Sequence, residues 1–270
     1  MTDDAADYTT LLVDEREDRL HVALNRPEVR NAIDATMVAE LHDVCARLER
    51  DPRILILSGT PPTEGRTGIF ASGADIAQLR ERRREDALAG INSGIFVRIA
   101  QLPMPVIAAL DGFALGGGAE LAFAADFRLG TPSVKIGQPE TGLGITAGAG
   151  ATWRLKELVG EPLAKEILLA GRILDADEAL AARLITEVHE SADLLDAAHA
   201  LADRIAAQDP LAVRLTKTVF HAPRESHPVI DTLAQGILFE SDAKFARMDA
   251  FLAKRVAKTS ASAPTKGTPA

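Results

Sequence analysis

The sequence FALGGGAEL, residues 113–121, joins a strand-like run to a helix-like run through three consecutive glycines, Gly116 to Gly118. The first N–H groups of a helix lack partners within the helix, and glycine leaves them open to a ligand. Such a turn can hold an anion or an oxyanion. It can also let a strand and a helix pack closely, and the triplet by itself favours that structural role.

The sequence FASGADI, residues 70–76, is too rich in small residues for ordinary core and too apolar for an ordinary loop. Phe70 is expected to anchor a turn in the core, and Asp75 to cap the helix that follows. The small residues between them allow a backbone N–H to approach a ligand. One donor from this turn and one from the glycine triplet would form an oxyanion hole. Ser72 is not expected to act as a hydrolase nucleophile, because the G-x-S-x-G turn is missing.

Two glutamates are candidate acid–base groups. Glu120 lies in the first turn of the predicted helix, where the helix dipole favours a carboxylate, and an apolar run follows it. Burial there would raise its pKa and make its proton usable near neutral pH. Glu140, in GQPETGLG, reads by itself as a solvated loop acid or a helix cap. The pair would divide into an acid and a base only if the fold brought them together, which spacing alone does not show.

Composition excludes several classes of protein. The chain has 270 residues, 47% of them hydrophobic, and a net charge of −9 that would repel a phosphate backbone, so we expect no nucleic-acid partner. Cys45 is the only cysteine, which rules out an internal disulfide and fits a reducing cytoplasm. The six histidines show no metal-ligand spacing, and no metal is expected.

Neither a targeting segment nor a membrane span is predicted. The first ten residues, MTDDAADYTT, are acidic and lack an apolar stretch. The most apolar segment, residues 106–127, contains Asp111 and Glu120, and each acid would cost about 2.5–3.5 kcal/mol at the membrane centre. We therefore expect a cytoplasmic protein that does not associate with a membrane.

The order of elements predicts an α/β core followed by helices. A charged turn joins two β-like runs that stop at Pro27, and Asp34 is a plausible N-cap for the helix that follows them. Strand-like and helix-like patterns alternate through residues 1–200, and residues 201–258 are almost entirely helical in pattern. The polar end, residues 259–270, is predicted to be disordered.

The arginine-rich sequence LRERRRED, residues 79–86, is predicted to be a solvated helix face rather than a phosphate site. Opposite charges four residues apart on a helix stabilise each other weakly, and Glu81 and Glu85 would supply the acids.

Five motifs carry a resemblance to a known family. In order, they are LNRPEVRNAI, FASGADI, ALDGFALGGGAELAFAAD, IGQPETGLG and GAGATWRL. Together they resemble the crotonase superfamily, and specifically the enoyl-CoA hydratases, from about residue 10 to residue 255. The resemblance implies a spiral of ββα units with a C-terminal helical trimerisation region, and a homo-trimer or homo-hexamer. It also implies an acyl-CoA substrate and no separate cofactor, since coenzyme A is part of the substrate.

The resemblance also assigns roles. Ala74 and Gly117 match the two oxyanion-hole residues, whose N–H groups would bind the thioester oxygen. Glu120 would activate water for attack at C3, and Glu140 would deliver a proton to C2. The implied reaction converts a 2-enoyl-CoA to a 3-hydroxyacyl-CoA, in fatty-acid or related acyl-CoA catabolism. Positions that match substrate-binding segments of the family are Arg30, Ser72, Asp75, Ile76, Gly148, Phe251 and Lys254.

Other functions stay open at this stage. The same fold could instead isomerise an enoyl-CoA, perform another crotonase-fold reaction on a CoA thioester, or bind acyl-CoA without catalysis. Ser72 stands where the family usually has alanine, and Trp153 where it commonly has glutamine. These departures leave the length and branching of the acyl group open.

Overall fold

The structure is a computed structural model that describes residues 8–60 and 68–261. Its strands are β1 Leu11–Glu15, β2 Arg19–Leu24, β3 Ile54–Gly59, β4 Ile69–Ala71, β5 Val106–Leu110, β6 Phe113–Leu115, β7 Phe127–Gly130, β8 Lys135–Gly137, β9 Ile173–Leu174 and β10 Glu187–Val188. Its helices are α1 Ala35–Arg50, α2 Ile76–Glu81, α3 Arg84–Ala89, α4 Ile91–Ala100, α5 Gly117–Phe123, α6 Ala151–Val159, α7 Glu161–Ala170, α8 Ala176–Ala181, α9 Leu194–Ala206, α10 Pro210–Phe220, α11 Val229–Phe239 and α12 Asp242–Ala261.

The strands form two sheets. The larger has the order β1-β2-β3-β5-β7-β10, and every neighbouring pair except β1 and β2 is parallel. The smaller has the order β4-β6-β8-β9, with β9 antiparallel to β8. Three times in succession, a strand of the larger sheet is followed by a strand of the smaller sheet and then by a helix. This repeat confirms the predicted α/β fold of ββα units.

Local signals in the N-terminal part are confirmed. Strands β1 and β2 form the predicted antiparallel hairpin, and β2 ends before Pro27. Helix α1 begins after Asp34, whose side chain accepts a hydrogen bond from the Met37 N–H at 2.8 Å. The apolar side of α1 is buried, as the helical spacing indicates.

The core lies between the sheets and the helices that cover them. All five residues of β5 are buried, as are the first four of β3, because both strands have neighbours on each side in the sheet. Phe70 and Phe96 are the largest fully buried side chains. Full burial of Phe70 confirms the anchoring role predicted for it.

The residues up to Ala207 form one compact unit, and the residues from Gln208 onward form a second. The second unit contains α10, α11 and α12, and its described part is helical apart from the connecting turns. Helix α12 ends at Ala261, so it includes the first three residues, 259–261, of the predicted polar tail. Residues 262–270, the rest of that predicted tail, lie outside the described residues.

The arginine-rich segment differs from its prediction. Helix α2 ends at Glu81, and Arg82 and Arg83 form a break before α3 begins. The break prevents Arg80 from pairing four residues along a continuous helix, and it contacts Glu81 instead, at 3.3 Å. Arg82 turns inward to a residue of α4.

Within residues 8–60 and 68–261, no helix combines the length and the apolar character that crossing a membrane requires.

Candidate active site

The predicted site residues follow the ends of three adjacent parallel strands. Strands β4, β6 and β8 lie side by side in the smaller sheet, and the chain leaves each at its carboxyl end. The turn with Ala74 follows β4, the glycine triplet follows β6, and Glu140 follows β8. Because the carboxyl ends of neighbouring parallel strands share one sheet edge, the topology brings together segments far apart in sequence.

The N–H of Ala74 is left outside the backbone pairing around it. The turn pairs with Ile33 through two bonds, from Ile33 N to Gly73 O at 2.8 Å and from Asp75 N to Ile33 O at 3.0 Å. In a parallel bridge the central residue of one segment uses neither its own N–H nor its own C=O. Among the described residues, the Ala74 N–H donates no hydrogen bond, although its neighbours on both sides are fixed.

Each glycine of the triplet meets a different constraint. Gly116 has a positive φ of 51°, and a Cβ there would lie 2.7 Å from Glu140 Oε1. Gly117 begins α5, and a Cβ there would lie 3.3 Å from the Ala74 nitrogen. A Cβ on Gly118 would lie 2.3 Å from the carbonyl oxygen of Ala71, in β4. Gly118 therefore has the close-packing role that the sequence suggested. Gly117, whose N–H belongs to the first turn of α5, brings its backbone close to the Ala74 nitrogen.

Glu120 lies on α5 and is only 3% exposed. Its Oε1 accepts hydrogen bonds from the N–H groups of Ala149, at 2.7 Å, and Ala151, at 3.1 Å. Burial raises the pKa of Glu120 to about 7, against the opposing effect of those two backbone bonds. The nearby charge of Glu140 raises it further, and that of Arg154 lowers it.

Glu140 is also buried, in a 3-10 turn that begins directly after Pro139. Burial raises its pKa above the ordinary value. The side chain of Gln138 lies against this carboxyl. In one orientation of its amide the nitrogen donates to Oε1 at 3.1 Å and Oε2 at 2.8 Å, and in the other it donates to Gly116 O at 3.3 Å; the first is the one we assign. Glu140 is thus a buried and oriented acid, not the solvated loop acid that its sequence suggests when read alone.

A cavity of about 290 Å³ adjoins Glu140. Its lining combines two leucines of α7 with polar side chains from the turns before α6 and from α6 and α7 themselves. The lining residues are Gln138, Glu140, Thr141, Thr146, Ala147, Thr152, Lys165, Leu168 and Leu169. The cavity gives space for an apolar group with polar atoms next to the carboxyl.

The residues predicted to bind substrate near the first turn lie together. Ser72 N donates to Arg30 O at 3.0 Å, which joins the two segments. Asp75 caps α2 by accepting from the N–H groups of Ala77 and Gln78, which confirms the predicted cap. Ile76, the first residue of α2, is 60% exposed.

The remaining predicted substrate contacts lie elsewhere. Gly148 is exposed in the loop before α6. Phe251 and Lys254 are exposed on α12, in the second unit. Their contact with substrate stays a prediction.

Sequence reasoning missed three polar residues of this region. Gln138 stood within a recognised motif without an assigned role, and Arg154 is 6% exposed beside Trp153. Asn92 had a detectable signal, because it occupies the first position of the i, i+3, i+4, i+7 stripe that Ile95, Phe96 and Ile99 complete on α4. A polar residue in such a stripe indicates a buried polar contact.

The part of the chain that the structure describes contains no group of three or more His, Cys, Asp or Glu side chains that could hold a metal ion.

The fold consists of two sheets connected by repeated ββα units, with the candidate active site at the carboxyl-end edge of the smaller sheet. This is the architecture of the crotonase class of fold. The sequence profile of the enoyl-CoA hydratase/isomerase family matches residues 16–257. The chain is 35% identical over 258 residues to a crotonyl-CoA hydratase of Syntrophomonas wolfei, covering 93% of this chain and 97% of that protein. It is 36% identical over 244 residues to a short-chain-enoyl-CoA hydratase of Clostridium acetobutylicum, covering 87% and 91%.

Solved structures agree with the sequence comparisons. The crystal structure of enoyl-CoA hydratase from Bacillus anthracis superposes with a TM-score of 0.84 at 30% identity, covering 91% of this chain and 97% of that one. The chain belongs to the enoyl-CoA hydratase/isomerase family, which confirms the resemblance found in its motifs.

Proposed function

We propose that the protein is an enoyl-CoA hydratase that adds water across the C2–C3 double bond of a 2-enoyl-CoA. The observation that carries the proposal is the placement of two buried carboxyls, Glu120 and Glu140, around two free backbone N–H groups. Hydration needs a base, an acid and stabilisation of a developing oxyanion, and these two carboxyls and two N–H groups would supply all three. The names of the relatives in Syntrophomonas and Clostridium support the same reaction.

The thioester oxygen would accept hydrogen bonds from the N–H groups of Ala74 and Gly117. Attack on C3 moves the electrons of the double bond toward C1, and the oxygen gains charge as an enolate forms. Both donors are held by surrounding backbone before substrate arrives, so little reorganisation is needed. Loss of one such donor costs about 2.7–4 kcal/mol in comparable sites.

Glu120 would take a proton from water while the water oxygen forms its bond to C3. Its Oε1 is occupied by two backbone N–H groups, which leaves Oε2 to face the water. Glu140 would then give its proton to C2, and Gln138 would keep its carboxyl aligned. Burial raises both pKa values above the ordinary range, that of Glu120 to about 7, so the pair can hold a proton near neutral pH.

Substrate binding and assembly form the rest of the proposal. Arg30, Ser72, Asp75, Ile76 and Gly148 would contact the CoA arm and thioester, with no additional cofactor. The cavity beside Glu140 would take the acyl end. We place the reaction in the cytoplasm, in fatty-acid or related acyl-CoA catabolism.

The second unit supports a homo-trimer or homo-hexamer. Helices α11 and α12 expose large apolar side chains, among them Leu233, Ile237, Phe245, Met248 and Phe251. Contiguous exposed apolar surface marks an interaction face. In such an oligomer Phe251 and Lys254 would also contact CoA. Sedimentation velocity measures the number of protomers in the oligomer.

The test is to mix the protein with crotonyl-CoA and follow the loss of enoyl-thioester absorbance, with 3-hydroxybutyryl-CoA identified by mass. Glu140→Gln should lower the rate about 10²–10⁴-fold while CoA-ester binding survives. Glu190→Gln, at an exposed acid, is the matched control. Unchanged hydration by Glu140→Gln would refute the two-carboxyl mechanism, and double-bond migration without water uptake would favour an isomerase.

A further inference from the structure

Asn92 is a buried polar residue whose side-chain oxygen has a hydrogen-bond partner and whose side-chain nitrogen has none among the described residues. It lies on α4 and is 9% exposed. Its Oδ1 accepts a hydrogen bond from Arg82 Nη1 at 2.9 Å. Its Nδ2 is buried and has no hydrogen-bond partner among the described residues.

The contact with Arg82 fixes which way the amide points. A guanidinium can only donate hydrogen bonds, so the atom of Asn92 that faces Arg82 must be the oxygen. The amide nitrogen is thereby turned away from Arg82. It lies 3.9 Å from the position that a Cβ on Gly117 would occupy.

The same position lies beside both residues proposed as oxyanion donors. The Ala74 nitrogen lies 3.3 Å from the same point, and Gly117 supplies the other N–H. Three N–H-bearing nitrogens therefore border one space that a glycine keeps open. A buried amide N–H₂ without a partner is unfavourable, and an oxygen atom of a ligand in this space would satisfy it.

We infer that Asn92 Nδ2 is a third hydrogen-bond donor to the thioester oxygen of the substrate, and that Arg82 is the positioning residue that aims it. This inference rests on the proposed function for the identity of the oxygen. It adds a side-chain donor to the two backbone donors.

The hydrogen bond from Asn92 should stabilise the negatively charged enolate more than the neutral thioester. A hydrogen bond to an oxygen that carries negative charge is shorter and stronger than one to a neutral carbonyl. Asn92 would therefore stabilise the enolate more than the bound substrate, and its loss would lower kcat more than it raises KM.

The probe is acetoacetyl-CoA, whose enolate absorbs in the ultraviolet and whose formation requires no hydration. With wild-type protein, the pH at which half of the bound probe is enolate should lie below that of the free probe. Asn92→Leu and Asn92→Asp should each move this midpoint up by about one pH unit, and lower kcat with crotonyl-CoA about 10–100-fold.

The two variants guard against misfolding in different ways. Leucine removes the donor with similar volume, while aspartate keeps the shape and can still accept from Arg82. Ser93→Ala is the matched control, because it removes a different side-chain hydrogen bond, to Gly90 O, from the same turn of α4. Arg82→Ala should give a smaller shift of the midpoint, and Arg82→Lys should restore part of it.

The outcomes separate this inference from the proposed function. If Asn92→Asp folds and keeps both the wild-type midpoint and kcat, the third donor is refuted even though hydration stands. If wild-type protein does not hydrate crotonyl-CoA, yet Asn92 still controls the midpoint, the hydratase proposal fails and the third donor stands. A midpoint equal to that of the free probe in wild-type protein would also overturn the inference.

Discussion

Replacing Glu120 by glutamine should abolish most activity and yet stabilise the folded protein at alkaline pH. The carboxyl is 3% exposed, and burial raises its pKa from 4.5 to about 7. This difference, at about 1.4 kcal/mol per pH unit, corresponds to about 3 kcal/mol of unfavourable free energy when the group is ionised. Glutamine has nearly the same shape and still accepts from the N–H groups of Ala149 and Ala151 without that penalty.

The gain should depend on pH in a defined direction. Between pH 4.5 and 7 the folded protein binds more protons at Glu120 than the unfolded chain does, so the free energy of unfolding falls as pH rises. Below pH 4.5 both states are protonated and the difference disappears. We expect Glu120→Gln to be more stable than wild type by about 3 kcal/mol at pH 8 and by less than about 1 kcal/mol at pH 5.

Urea denaturation at both pH values, at one protomer concentration, measures this difference. Glu161→Gln is the control, because Glu161 is an exposed acid whose pKa is lowered by Lys165 rather than raised. Its substitution should give no stabilisation at pH 8. The reasoning is refuted if Glu120→Gln is no more stable than wild type at pH 8, or if its advantage does not shrink at pH 5.

Three further results are expected. Gly118→Ala should destabilise the fold by about 1–3 kcal/mol in urea, since its Cβ would meet Ala71 O at 2.3 Å, and an unchanged midpoint would contradict the close packing. Gln138→Leu should lower kcat with crotonyl-CoA about 10-fold with little change in KM; an equal kcat would show that the carboxyl of Glu140 needs no amide. The pH profile of kcat/KM should rise through about 7, because only the ionised form of Glu120 can take a proton from water; a flat profile from pH 5 to 9 would contradict it.

Local chemistry made much of the fold predictable. Asp34 and Asp75 cap their helices because a short acidic side chain reaches the free N–H groups of a first turn. Phe70 anchors its turn because burying a large apolar side chain in the core is favourable, and the small residues that follow it cannot replace that contact. The order of strands and helices sufficed for the α/β class.

Long-range geometry was not predictable from the residues alone. From the sequence alone, Glu140 is interpreted as a loop acid. In the structure β8 pairs with β6, and this pairing places the buried Glu140 carboxyl next to Gly116. The arginines from 80 to 84 suggested one solvated helix, but the break at Arg82 sends that side chain to Asn92, ten positions along the chain. The expectation that Glu120 and Glu140 act as a pair came from the family resemblance of their motifs. Asn92 lies outside every recognised motif, so the resemblance gave it no role.

The bridge between Ile33 and Ala74 makes the Ala74 amide a natural spectroscopic reporter. Its neighbours Ile33 and Asp75 use their N–H groups in backbone bonds, so they should resist hydrogen exchange, while the Ala74 amide lacks that protection. A ligand oxygen that accepts from Ala74 would slow its exchange and move its NMR resonance downfield. One peak would then report binding at the proposed oxyanion hole, in a protein that has a single tryptophan and a single tyrosine to follow by fluorescence.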